Sequence, residues 1–246
     1  MMTFYYLLLA LLAGSSQPPT TSNAKPTYSQ TYAIFLKGSP AGTERVTETT
    51  EKDGSLLAVS EHEILISDGL ETKRMAFTTI MRLARGNLAP LHYSYKYTSG
   101  DSRDFYEVNV KDGQITRVLN RGGRISEVSA PLQSGVVILD FSVYHQYDYL
   151  IRQYDLKKQG RQSFHNFIPL IGSEIPLALT YLGDSKLEYP GGVMVVRNFK
   201  IVFVGIWNGT FSADGNGRLE QDVDDMCRKL LTNPVIENYR YEITKE

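Results

Sequence analysis

From Tyr28 onward, hydrophobic and polar positions alternate in short segments broken by turn dipeptides. Alternation with a period of two is the signature of a half-buried strand. It predicts strands at Gln30–Lys37, Ser60–Ser67, Arg74–Arg85, Leu91–Thr98, Phe105–Val110 and Val193–Val204. Asp-Gly occurs four times, at 53–54, 68–69, 112–113 and 214–215, and Gly122-Gly123 and Asn208-Gly209 are further turn candidates. Such pairs accept the positive φ of tight hairpin turns, whose twist matches that of the paired strands. The turns are separated by about 10–20 residues, which predicts a meander of antiparallel hairpins. A two-residue turn at 68–69 would set Glu63 opposite Arg74, a favourable cross-strand pair.

One segment breaks this rhythm. Leu139, Val143, Tyr147, Leu150 and Tyr154 recur at steps of 4, 4, 3 and 4, the spacing of one helical face. They predict a helix from about Asp140 to Tyr154, with Gln146, Arg152 and Gln153 off the apolar stripe. Val136-Val137-Ile138 just before it is β-branched and suits a strand end. A second helix is expected over Asp222–Leu231, stopped by Asn233-Pro234. The expected fold is mainly β (α+β): a curved antiparallel sheet or half-barrel of hairpins with one covering helix.

Within the strands, tyrosine stands out, with 16 Tyr among 246 residues. Leu91, Tyr93, Tyr95 and Tyr97 share one face of their strand, and Met75, Phe77, Met81 and Leu83 share one face of another. Rings with polar tips and adaptable methionines suit a concave surface that holds an amphiphile. Burying about ten methylenes contributes about 8 kcal/mol before ordering costs, the scale of a micromolar Kd. Met75, Phe77, Met81, Tyr93, Tyr95, Tyr97 and Tyr147 are therefore the candidate ligand-binding residues. The simpler reading of the same residues is an ordinary core packed beneath the helix.

The N-terminus has a different pattern. Phe4–Ala13 is an unbroken apolar run of ten, half the length of a spanning helix. It has the length of a secretory apolar region, with Ala13-Gly14-Ser15 as small residues for cleavage, although no Lys or Arg precedes it. Leu12-Ala13-Gly14 resembles a lipoprotein signal, but Ser15 stands where the lipidated Cys would be required. Residues 14–27 are polar and carry three prolines, as a solvated tether does. The expected organisation is a signal peptide over 1–15, a linker over 16–27 and one β-rich domain over 28–246, in a periplasmic or otherwise exported protein without a transmembrane span.

Charge and motifs narrow the function further. With 26 basic and 27 acidic side chains, the chain has no global electrostatic reason to bind nucleic acid. Its one cysteine, Cys227, excludes an intramolecular disulfide framework and a thiolate-rich metal site. His62, His92, His145 and His165 form no metal-spaced pair, and His62 is expected at a strand rim. His145 and Asp148 stand i, i+3 on the expected helix, within reach of a hydrogen bond. Asp214 and Asn216 open like a calcium loop, but Arg218 and Leu219 stand where it needs an oxygen ligand and a glycine. Arg117, Arg121 and Arg124 flank the Gly122-Gly123 turn, where guanidinium groups can hold a carboxylate or phosphate head. No catalytic residue, metal or cofactor is predicted.

Tyr32-Ala33-Ile34-Phe35-Leu36-Lys37-Gly38 followed by Gly42-Thr43-Glu44, then Tyr149-Leu150-Ile151-Arg152, Ile168-Pro169, Tyr181-Leu182-Gly183, Ile206-Trp207 and Gly217-Arg218-Leu219 carry a family likeness. Over residues 30 to 225 the chain resembles a group of bacterial envelope proteins of unknown function. Their curved sheets resemble the open half-barrels of the lipoprotein-localisation carriers. The Cys227 segment near 222–231 departs from that pattern. The export run, the hairpin meander with one covering helix and the Tyr/Met-rich faces together predict a non-enzymatic envelope protein that binds a lipid or other hydrophobic molecule. Two alternatives stay open: a structural or interaction module with an envelope protein partner, and a hydrolase using His145 or His165.

Overall fold

A computed structural model describes residues 28–36, 39–67, 72–99, 102–140, 143–189, 192–204, 207–213, 219–221 and 239–244. The expected signal peptide, linker and 222–231 helix, with Asp68-Gly69, Asp214-Gly215 and Cys227, lie outside the described residues.

Eight strands follow one another as a meander: β1 (Tyr28–Leu36), β2 (Ser39–Thr50), β3 (Leu56–Ser67), β4 (Thr72–Leu83), β5 (Pro90–Ser99), β6 (Ser102–Lys111), β7 (Gln114–Arg121) and β8 (Arg124–Pro131). The last strand of the chain, β15 (Tyr239–Thr244), pairs antiparallel with β1 and completes a nine-stranded sheet. A six-stranded sheet is built from β9 (Val136–Ile138), β10 (Arg161–Ile168), β11 (Ser173–Tyr189), β12 (Gly192–Phe203), β13 (Trp207–Ala213) and β14 (Leu219–Gln221). The sheets meet where β9 runs beside β5 and β14 beside β15. The result is the curved, half-barrel-like sheet expected from the hairpin pattern.

Turn chemistry sets much of the register. Asp112 and Gly113 have φ of 52° and 72°, and Gly122 and Gly123 have 57° and 77°, the left-handed pairs that a two-residue hairpin needs. Asn208-Gly209 is not a turn: both residues lie inside β13, opposite Val202 and Ile201. The β3–β4 connection is longer than two residues, so Leu65 rather than Glu63 stands opposite Arg74. The expected pair survives as a diagonal one, with Arg74 Nη2 2.9 Å from Glu63 Oε2.

The helix is shorter than its apolar spacing predicts. It is α1, Gln146–Arg152. Val136–Ile138 is strand, as its β-branched run suggests, and pairs parallel with β10. Parallel neighbours require a crossover connection, and α1 lies in it. The stripe itself holds: Leu139, Val143, Tyr147, Leu150 and Tyr154 are all buried in one apolar cluster. Gln146, expected off the stripe, is buried as well, because α1 is enclosed along most of its length. Its Oε1 accepts the Asp140 N–H at 2.6 Å, closing the chain just ahead of the helix.

Candidate ligand-binding face

The pairing register lines up the inner side of the large sheet in rungs. One rung runs Tyr32, Glu44, His62, Phe77, Tyr97, Asp104 across β1 to β6. The next runs Val46, Ser60, Thr79, Tyr95, Tyr106, Leu119, Ser126 from β2 to β8. A third carries Glu48, Ala58, Met81, Tyr93, Val108, Arg117 and Val128. Because side chains alternate along a strand, these rungs face one way.

Burial along them is uneven. Tyr32, Glu44, His62, Phe77, Met81 and Tyr93 are buried beneath α1 and the second sheet. Toward β7 and β8 the face opens: Tyr95, Tyr97, Asp104 and Leu119 are half-buried, and Arg121, Arg124 and Ser126 are exposed. Of the candidate residues, Phe77, Met81, Tyr93 and Tyr147 are therefore packed in the interior, whereas Met75, Tyr95 and Tyr97 lie half-buried at its margin. Tyr95 stacks on Tyr106 with centroids 4.6 Å apart and leans on Phe77 at 4.9 Å. A recess among Met81, Leu83, Val137, Ile138 and Leu150 has about 10 Å³, room for one water and not for an alkyl chain.

Polar contacts fix the covering segment to the sheet. Glu44 Oε2 accepts the Tyr144 N–H at 3.1 Å, and its Oε1 lies 2.5 Å from His145 Nδ1. The carboxylate thus meets the main chain just ahead of α1, where N–H groups have no helical acceptor. The carboxylate His145 meets is Glu44 on β2. Asp148, its expected partner, accepts from Tyr32 Oη at 2.9 Å. Arg152 reaches Glu48 at 3.3 Å and lies over the Tyr149 ring. Tyr93 donates to Asp140 Oδ2 at 2.7 Å, and Tyr106 donates to the same oxygen.

Burial changes the titration of these groups. His62 is not at a strand rim: it is 3 % exposed and stacks on Phe77 at 4.0 Å. Desolvation pushes its pKa down to about 4, against the opposing pull of Glu44. For Glu44, burial raises the pKa, but His62, His145 and the hydrogen bonds from His145 and the Tyr144 N–H outweigh it and leave it lowered. Tyr32, Tyr93 and Tyr106 are pushed up, first by burial and then by the nearby carboxylates.

Ser60 Oγ lies 2.7 Å from His62 Nε2 and 2.6 Å from Thr79 Oγ1. The Glu44 carboxylate approaches that same nitrogen, at 3.7 Å, while Nδ1 has no partner among the described residues. A base-activated nucleophile needs the carboxylate on the far ring nitrogen and an approach for substrate. Ser60, His62 and Glu44 offer neither, being buried together. His165 is half-exposed, with Glu174 3.7 Å from its Nδ1.

Arg117 is the inner-face residue whose position says most. It is 4 % exposed, and its Nη1 donates to Ser126 Oγ at 2.9 Å. Its Nε has no hydrogen-bond partner, and it pairs with no carboxylate, among the described residues. The guanidinium lies against Gly172 in the β10–β11 turn, where a Cβ would overlap Nη2. Arg117, Arg121 and Arg124 were legible as a basic turn; Ser126 and Gly172 as their neighbours were not, because only the hairpin register and the second sheet bring them there.

A solved β-barrel-like protein of unknown function from Brucella abortus superposes on 88 % of this chain and 95 % of its own, with a TM-score of 0.58 and 9 % sequence identity. The fold is β-barrel-like. At that identity the match speaks for architecture alone. A family model described as PurS, phosphoribosylformylglycinamidine (FGAM) synthase, matches residues 193–245. The PurS subunit of that synthase from Methanocaldococcus jannaschii is 27 % identical over 74 residues, which is 30 % of this chain and 76 % of that protein. The matched stretch contains strands of both sheets: β12, β13 and β14 in one and β15 in the other. Among the described residues, no helix is long and apolar enough to cross a membrane.

Proposed function

We propose that this chain is an exported, non-enzymatic envelope protein that binds a hydrophobic ligand on the open margin of its curved sheet. The observation that supports this is the gradient along the inner face. The aromatic surface is packed shut as far as Phe77 and Tyr93, then emerges half-covered at Met75, Tyr95, Tyr97 and Leu119. Packing alone does not require an aromatic and methionine-bearing face to run on past its cover. A ligand seated there bridges the exposed margin and the fixed interior, with Tyr95 held rigid by its stacking on Tyr106. Phe77, Met81, Tyr93 and Tyr147 then act as the floor and support of the site. Export rests on the Phe4–Ala13 run and the small residues after it.

Native mass spectrometry of protein purified without detergent tests the reading. A co-purifying amphiphile, or binding of a fatty-acyl probe that weakens in Tyr97→Ala, is the expected result. A ligand-free spectrum together with no probe binding refutes it. A second reading, an envelope interaction module, is favoured by Leu182, Val193 and Val195, which are 54 %, 60 % and 58 % exposed on the β11–β12 hairpin. Cross-linking through cysteines placed at 182 and 193 would trap a partner under that reading and nothing under the first.

A further inference from the structure

The β7–β8 hairpin carries three arginines on one face. Arg117, Arg121 and Arg124 all face the inner side: Arg121 stands directly opposite Arg124, and Arg117 lies two alternations along the same strand. Like charges directly opposite each other destabilise a sheet. None of the three arginines forms an ion pair among the described residues. Arg117 is buried besides, and a buried cation without a counter-charge is costly to keep. Asp104 Oδ1, on the neighbouring strand, accepts the Gly122 N–H at 2.8 Å, which fixes the turn between Arg121 and Arg124. Leu119 lies between Arg117 and Arg121 on the same face and adjoins the Tyr106–Tyr95 stack across the strands. The face therefore carries cations at its tip, an apolar aromatic stretch beside them, and a third guanidinium fixed behind against Gly172.

We propose that the hairpin is a head-group site for an anionic amphiphile, a carboxylate or phosphate on an alkyl chain. This rests on the hydrophobic-ligand reading and names the ligand class. Arg121 and Arg124 take the head through charge-assisted hydrogen bonds. Leu119, Tyr95 and Tyr97 carry the chain, and Arg117, held by Ser126, supplies a fixed positive field behind them. Guanidinium suits this role because its planar fork matches both head groups.

Equilibrium binding of fluorescent parinaric acid and of its methyl ester to the full chain, followed by displacement with lauric acid, dodecyl phosphate and dodecanol, tests the proposal. The acid is expected to bind at least about tenfold tighter than the ester, the worth of one charge-assisted contact. The preference shrinks at high salt and is lost in the exposed double variant Arg121→Gln, Arg124→Gln, which still binds the ester. Displacement by lauric acid or by dodecyl phosphate, in preference to dodecanol, identifies the head group. Arg117→Met serves as a second variant: it is expected to fold at least as stably as the parent and to lose part of the preference. Equal binding of acid and ester overturns the anionic class, and a preference that survives in the double variant overturns the hairpin as its head-group site; either result leaves the hydrophobic site standing. Binding of neither probe overturns both.

Discussion

Replacing His62 by Phe keeps a flat ring against Phe77 and removes the one buried imidazole whose pKa is driven down to about 4. In the unfolded chain that imidazole titrates near 6.5. Between those two values the unfolded state binds a proton that the folded state refuses, so acidification favours unfolding. The loss begins as the pH falls through 6.5 and is complete below about 4, the folded value. The difference of about 2.5 pH units corresponds to on the order of 3 kcal/mol, a large share of a typical domain stability of about 5–15 kcal/mol. Below 4.5 Glu44, whose folded pKa is lowered, adds a loss of the same sign as it is protonated. Urea unfolding followed by far-UV circular dichroism at intervals from pH 7.5 to 3 measures both limbs. The parent is expected to lose stability steadily from pH 6.5 downward, and His62→Phe to stay nearly level until carboxylates titrate. Identical slopes in parent and variant would refute the argument, because the acid limb would then come from other groups.

Other outcomes follow from the same interior. Tyr93→Phe removes a hydrogen bond to a buried carboxylate oxygen shared with Tyr106 and should cost about 1.5–3 kcal/mol in urea unfolding. The double change with Tyr106→Phe should cost more or less than the sum, since both hydroxyls serve one oxygen. At the alkaline end, Tyr32, Tyr93 and Tyr106 have raised folded pKa values, so stability should hold up to pH 10 and fall above it, a slope that Tyr93→Phe reduces. Gly42→Ala would drive a Cβ into the Glu63 carbonyl and Ile64 Cα of the neighbouring strand, and should lower stability by about 1–3 kcal/mol or more in thermal unfolding. Gly172→Ala meets a φ of +73° and should cost about 1–2 kcal/mol while displacing the Arg117 guanidinium, weakening parinaric acid more than its ester.

Local pattern was enough to locate six strands (β1, β3, β4, β5, β6 and β12), the hairpin meander and the buried stripe from Leu139 to Tyr154. These depend on local periodicity and on turn residues such as Asp112-Gly113 and Gly122-Gly123, whose chemistry acts within a few residues. It also placed Tyr93, Tyr95 and Tyr97 on one face. The helix start escaped it, because Leu139 and Val143 carry the apolar spacing but are buried by tertiary packing ahead of α1, which begins at Gln146. The parallel pairing of Val136–Ile138 escaped it too, because the partner, β10, comes later in the chain. Tertiary structure alone decided which of the tyrosines are sealed and which emerge, since that depends on where α1 and the second sheet stop covering the first. It alone joined Glu44 to His145 across 101 positions, put Tyr93 and Tyr106 on Asp140, and laid Gly172 against Arg117. Periodicity reports the face on which a side chain lies. A buried charge finds its partner by proximity in the folded chain, and no local pattern encodes that distance.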